Sequence, residues 1–346
     1  MFYGRLCARG LCNQVAVKIP RLRPPSDVRA LSPAFLFAQK TYTNGHTDEH
    51  TYALPGGLTL TFAALTHPGD DPGRVRKENQ DAFVCSTAFG GEQARAYFAV
   101  FDGHGFEGKK VIHYLVAHLP VDLKANAHFK SGDFAEAFRT SYPETNASIR
   151  RKGTIDLTLS GSTGVTCLFE DNKLYVGNVG DSRICLGRKD PASGELSAVA
   201  LSRDHKPTIE EEAERIIAHR GRIGPFMFDG EAVGPPRVWL KDEDMPGLCM
   251  TRSFGDDLAA TVGVISEPET HEYTLSKGTH DRYIVLGSDG IFEFFSDDEI
   301  IDITDKCDTP KDAAKKLIQE SRRKWIEEEE DVIDDCTAVV IHLSWK

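Results

Sequence analysis

The sequence predicts an α+β fold built on antiparallel sheets, and two observations carry that prediction. Short apolar runs bounded by turn residues recur from about Tyr52 to the end of the chain. Between residues 164 and 202 several of them follow one another with no helical pattern in between. Neighbouring parallel strands need a long, usually helical, crossover, so consecutive strands without one argue for antiparallel pairing.

The strands read in order as Tyr97–Phe101, Gly164–Phe169, Leu174–Val179, Ile184–Leu186, Tyr283–Leu286 and Ala338–Leu343. Helical periodicity marks Val111–Leu119 and Phe134–Ile149. Thr208-Ile209-Glu210-Glu211 has the spacing of a capping box, in which a hydroxyl and a carboxylate three residues on satisfy each other's backbone N–H, and Gly221 offers a stop. Ser296-Asp297-Asp298-Glu299 has the same spacing ahead of Ile300 and Ile301. Thr309-Pro310 opens a further helix with proline at its first position and an apolar face of Ala313, Ala314, Leu317 and Ile318. The acidic run Glu327–Asp331 reads as a solvated helix end.

The chain has 346 residues, 40% of them hydrophobic and 27% charged, which fits a globular protein with a sizeable core and excludes disorder throughout. Its formal net charge of −12 disfavours binding to a nucleic-acid backbone. No apolar run is long enough to span a bilayer. The 8 cysteines form no Cys-x-x-Cys pair and read as reduced, mostly structural thiols of an intracellular protein, cytoplasmic or nuclear. Residues 1–50 are set apart as a basic N-terminal extension, with Arg5, Arg9, Lys18, Arg21, Arg23, Arg29 and Lys40 against Asp27 in its first forty residues, and residues 51–346 as the globular unit. The extension fits organelle targeting or a plain non-targeting segment, and its weak amphipathic pattern favours the second.

The chemistry lies in aspartates placed at the ends of hydrophobic strands. Asp81 precedes Ala82-Phe83-Val84; Asp102 follows Tyr97–Phe101; Asp181 follows Leu174–Val179; Asp289 follows Tyr283–Leu286; and Asp334 and Asp335 precede Ala338–Leu343. Any one Asp-Gly pair reads as a turn. Together, carboxylates at strand ends can converge on one edge, where their repulsion calls for hard divalent cations with oxygen ligands such as Mg²⁺ or Mn²⁺. From the residues alone this reaches an acidic metal site and no further.

The motifs that hold these aspartates resemble those of the metal-dependent protein Ser/Thr phosphatases of type 2C. They are Arg76-Lys77-Glu78-Asn79-Gln80-Asp81-Ala82, Phe98-Ala99-Val100-Phe101-Asp102-Gly103-His104-Gly105 and Gly161-Ser162-Thr163. They continue with Val179-Gly180-Asp181-Ser182-Arg183, Asp204-His205-Lys206-Pro207, Thr251-Arg252-Ser253-Phe254-Gly255-Asp256, Ser288-Asp289-Gly290-Ile291 and Asp334-Asp335-Cys336-Thr337, in the family's order. The resemblance implies a four-layer αββα sandwich with two central antiparallel sheets flanked by helices. It implies a monomeric signalling enzyme that dephosphorylates phosphoserine and phosphothreonine in proteins, with a water activated between two divalent ions as nucleophile. An inactive relative that binds phosphoproteins is the alternative.

Residue by residue, the resemblance makes Asp102 the bridge between two ions and the Gly103 carbonyl a ligand of one. Asp289 and Asp334 complete the other shell, and Asp81 orders bound water. Asp181 with Asp289 matches a weaker third-metal position. Arg76 grips the phosphate, for which a planar two-pronged donor is suited. His104 protonates the leaving alkoxide. No Cys-x5-Arg spacing follows Cys85, so a cysteine-based mechanism has no support. Asp204, His205, Arg252 and Asp256 read as structural. Gln80 stands where the family often has Glu, and Asp335 where Asn is frequent, so metal affinity is where this chain departs from the pattern. Phe226, Met227, Phe228, Pro235, Pro236 and Trp239 fall in the family's variable flap and face either substrate or core.

Overall fold

The computed structural model describes residues 40–42, 45–73, 75–90, 95–277, 280–329 and 332–346. The basic segment before Lys40, with Cys7 and Cys12, lies outside the described residues, as do the last two residues of the acidic run.

Two antiparallel sheets form the centre. The first runs Lys40–Tyr42, Asp81–Thr87, Arg95–His104, Gly164–Glu170, Lys173–Val179, Glu269–Thr274. The second runs Leu196–Ala200, Arg183–Lys189, Asp281–Gly287, Cys336–Trp345, Leu58–His67, Gly45–His46, with His50–Ala53 also on Leu58–His67. Strands in 40–46 thus join both sheets, within the stretch set apart as an extension.

Phe83, Phe98, Val100 and Val165 of the first sheet meet Ile184, Leu186, Ile284, Leu286, Val339 and Ile341 of the second in the central core. The first sheet's outer face carries Ala82, Val84, Tyr97 and Phe101, packed on helices Gly108–Ala125 and Phe134–Lys152 through Val111, Leu115, Phe138 and Tyr142. The second sheet's outer face carries Val285, Ala338 and Val340, packed on helices Asp297–Asp305 and Pro310–Glu329 through Ile300, Ile301, Ala313 and Leu317. Each central strand is covered on both faces, and so its residues form continuous apolar runs rather than an alternation. The αββα layering follows from these three cores. Among the described residues no helix is long and apolar enough to cross a membrane, and Cys85, Cys167, Cys185, Cys249, Cys307 and Cys336 are all free.

The helix starts show which local signals prevail. Ser296 and Glu299 form the expected reciprocal cap, and Pro310 opens its helix. At Thr208 the expected cap does not form. The helix runs Glu210–Ala218 behind Ile209, which makes no side-chain cap. Glu211 is held by Arg203 and so does not turn back to the helix start. The first helix continues past the expected Leu119 and through Pro120 to Ala125, anchored by buried Leu123. The flap is a three-stranded sheet, Arg222–Phe228, Glu231–Trp239 and Pro246–Leu248. Trp239 packs inward and donates its indole N–H to the Gly224 carbonyl at 2.8 Å, whereas Met227 and Phe228 are exposed.

Trp325 ties the helix Pro310–Glu329 to the end of the second sheet that carries Asp289. It is fully buried, packs edge-on to Phe294 and donates its indole N–H to the Gly290 carbonyl at 2.9 Å. Trp325→Ala should lower stability by about 3–5 kcal/mol through the cavity and the unpaired carbonyl; a urea unfolding curve showing a loss below about 1 kcal/mol would contradict this packing role.

Candidate metal centre

Both sheets deliver their aspartates to one end. Asp81 opens strand Asp81–Thr87 and lies directly across from Asp102 near the end of Arg95–His104. The Asp102 backbone is fixed from its other neighbour: its N–H donates to Thr163 Oγ1 at 3.1 Å and its carbonyl accepts from Thr163 N at 2.9 Å. Gly103 N–H donates to the Gln80 carbonyl at 2.8 Å. Asp181 sits in the turn between Lys173–Val179 and Arg183–Lys189. Asp289 opens the one-turn helix Asp289–Phe292, directly after strand Asp281–Gly287, and Asp334 precedes strand Cys336–Trp345.

Ser288 stitches the two sheets together here. Its hydroxyl donates to Asp81 Oδ2 at 2.7 Å and accepts from Thr337 N at 3.1 Å. Gly290 permits the closest approach, since a Cβ there would lie 1.9 Å from the Asp335 carbonyl oxygen. Asp335 fastens the neighbouring loops by accepting from Gly69 N at 2.7 Å and Gln80 N at 2.8 Å. The Gln80 amide in turn donates to the Gly105 carbonyl at 3.1 Å.

Asp81, Asp289, Asp334 and Asp181 all act on the Asp102 carboxyl, which puts the five in one electrostatic neighbourhood. Burial, then Asp81, Asp289, Asp334 and Asp181, push the Asp102 carboxyl well above its usual range. Burial, then Asp334 and Asp181, do the same to Asp289. Asp81 is pushed up to about 7 by burial and by Asp335, against the Ser288 hydrogen bond. Two lysines offset this charge. Lys77 pairs with Asp334 and lies 3.6 Å from Asp335 Oδ2; Lys206 pairs with Asp181. Burial opposes both ammonium charges, but Asp334 and Asp335 outweigh it at Lys77, and Asp181 and Asp289 at Lys206, so both are held charged. Asp181 and Asp334 are correspondingly held below their usual range, against their burial.

The donors suit a hard divalent cation. They are all oxygen, and Asp81 Oδ1, Asp181 Oδ1 and Asp289 Oδ1 are buried without a hydrogen-bond partner, which is costly unless a cation faces them. Among the described residues, no group of three or more His, Cys, Asp or Glu side chains is placed so that it could hold a metal ion as it stands.

The remaining residues divide clearly. His104 lies beside the carboxylates and bonds through Nε2 to Asp256 Oδ2 at 2.8 Å. Burial lowers its basicity, but Asp256 outweighs that and raises it. Arg76 is not tied to the carboxylates. Its Nε bonds to Asp70 Oδ1 at 2.8 Å, and the side chain is 51% exposed. Arg322 holds the other Asp70 oxygen at 2.7 Å. Asp204 grips Arg183 with both oxygens, and buried His205 accepts from Gly180 N, so both are structural as expected. Arg252 is structural too, paired with buried Glu212. Asp256, read from sequence as structural, in fact touches His104. Lys77, Lys206 and Ser288 stand inside recognised motifs, but nothing in the sequence pattern marks them as partners of the aspartates.

The raised acids fix a sign for pH dependence. A carboxyl whose pKa is higher folded than unfolded costs stability as pH rises from the unfolded value toward the folded one. Asp81, Asp102, Asp289 and Asp335 all act in this sense, and raised His104 loses stabilisation over the upper part of the same range. Half-buried His342, lowered to about 4, acts in the opposite sense over this range, so the test compares variants: in a chelator, raising the pH from about 4 to 7 should lower the unfolding midpoint of the parent relative to that of Asp289→Asn, and Mn²⁺ should suppress the difference. A midpoint difference that does not change with pH in chelator would refute the electrostatic description.

The protein phosphatase 2C profile matches residues 67–329. A rice (Oryza sativa subsp. japonica) protein named probable protein phosphatase 2C 64 is 37% identical over 274 residues, covering 78% of this chain and 63% of its own length. Probable protein phosphatase 2C 52 of Arabidopsis thaliana is 34% identical over 304 residues, again covering 78% and 63%. The chain thus spans less than two thirds of the length of these relatives. A crystal structure of a serine-threonine phosphatase 2C from Toxoplasma gondii superposes with a TM-score of 0.72 at 18% identity, over 89% of this chain and 99% of that one, a likeness of fold.

Proposed function

Because the chain belongs to the protein phosphatase 2C family, we propose that it is a metal-dependent hydrolase that removes phosphate from phosphoserine and phosphothreonine in proteins. The observation that carries this reading is the convergence of Asp81, Asp102, Asp181, Asp289 and Asp334, three of them with a buried oxygen left unpartnered.

Asp102, the Gly103 carbonyl, Asp289 and Asp334 would hold two Mg²⁺ or Mn²⁺ ions, with Asp81 ordering bound water and Asp181 with Asp289 serving a weaker third position. When bound, such ions supply a water acidic enough to act as nucleophile near neutral pH and offset charge on the phosphoryl oxygens. The chain's own groups do the rest. Arg76, half exposed and oriented by Asp70, offers the guanidinium for the incoming phosphate. His104 gives a proton to the leaving alkoxide. Lys77 and Lys206 hold Asp334 and Asp181 ionised, ready to ligate. The substrate is a phosphorylated protein, the enzyme acts as a monomer, and an intracellular setting suits free thiols such as those of buried Cys85, Cys167, Cys185 and Cys336.

The test is Mn²⁺-dependent phosphate release from a phosphothreonine peptide. Asp289→Asn should lower kcat/KM by about 100-fold or more, and Arg76→Ala should mainly raise KM, by roughly tenfold. Turnover that is unchanged in chelator, or unaltered in Asp289→Asn, would overturn the metal assignment. A parent protein that binds the peptide without turnover would favour the phosphoprotein-binding alternative.

A further inference from the structure

Asp256 is held against His104 by a short strand patch and a set of hydrogen bonds. A short three-stranded patch sets His104 opposite Gly161, and Gly161 opposite Gly255. Asp256, the next residue, is buried, takes a left-handed backbone (φ 48°) that aspartate tolerates better than most residues, and reaches across Gly161 to His104 Nε2 at 2.8 Å. A Cβ at residue 161 would lie 2.2 Å from Asp256 Oδ2, so only glycine leaves the passage open. Ser253 Oγ donates to the same Oδ2 at 2.6 Å, and Asp256 N–H donates to the Ser160 carbonyl at 3.0 Å. The carboxylate therefore cannot swing away. Among the described residues, His104 Nδ1 takes no hydrogen bond.

We propose that Asp256 is the positioning residue of the leaving-group step: it fixes the Nε2–H of His104 and so makes Nδ1 the nitrogen that faces the substrate and gives up the proton. The proposal rests on His104 acting as the proton donor. In the charged imidazole both nitrogens carry hydrogen. As the P–O bond breaks, its electron pair stays on the serine or threonine oxygen. That oxygen takes the Nδ1 proton, while Nε2–H stays bonded to Asp256 and keeps the now neutral ring in its tautomer. An aspartate in this place orients the ring and stabilises its charged form without taking the proton.

The two roles, structural and positioning, separate by leaving group. A serine or threonine alkoxide needs a proton, whereas p-nitrophenolate leaves without one. In the Mn²⁺-loaded enzyme, Asp256→Asn should lower kcat on a phosphothreonine peptide by about 10- to 100-fold at nearly constant KM, with a loss on p-nitrophenyl phosphate at least about fivefold smaller. Ser253→Ala, which frees the carboxylate but keeps it, should show the same split more weakly. His104→Gln should show it fully, and adding Asp256→Asn to His104→Gln should cost little more, because the two act as one unit. Equal losses of Asp256→Asn on both substrates, or none on either, would overturn the positioning role while a split in His104→Gln keeps the proton-donor reading. No split in His104→Gln would overturn that reading and this proposal with it. Where Asp256→Asn does not fold, the presence or absence of the split in Ser253→Ala decides.

Discussion

The mutual repulsion of buried carboxylates at the shared end of the two sheets is the constraint on which the rest depends. At about 4 Å two like charges cost on the order of 4 kcal/mol even at an effective dielectric of 20. Asp81, Asp102, Asp181, Asp289 and Asp334 come from five separate segments, and Asp102 feels the charge of the other four. Two ammonium groups, on Lys77 and Lys206, are buried with them and relieve part of the charge. The remaining imbalance is what a divalent cation would neutralise, and three carboxylate oxygens, on Asp81, Asp181 and Asp289, are buried without a hydrogen-bond partner.

Such a centre needs rigid mounts, which explains the four layers. Asp81 and Asp102 sit on neighbouring strands whose register is set by ladder bonds, and Ser288 clamps the second sheet to the first through Asp81. Each strand is locked by apolar packing on both faces, so its acidic end has little freedom to relax away from its neighbours. By contrast, the flap carries its exposed side chains, Met227 and Phe228, on a separate small sheet.

Much of this was legible in the sequence, because strand-end aspartates and apolar runs are local patterns. Although Leu58–His67, Leu196–Ala200, Glu269–Thr274 and the strands of the flap went unread, the six strand runs named from the sequence, the reciprocal cap at Ser296 and the proline start at residue 310 all needed only neighbours in the chain. The partners of the acids did not. Lys77 and Asp334 are 257 residues apart, Ser288 and Asp81 are 207, and His104 and Asp256 are 152. No periodicity connects such positions. The Thr208 cap failed for a related reason: its glutamate was claimed by Arg203, outside the helix. The contact of Asp256 with His104 was not legible either, because only the open space over Gly161 shows where its side chain goes.

The most direct test of the account is anomalous X-ray scattering from a crystal soaked in Mn²⁺. Peaks between Asp102, Asp289 and Asp334, beside the carbonyl of Gly103, are the predicted result. A fully soaked crystal with no peak among these aspartates, or with manganese bound only elsewhere, would contradict it.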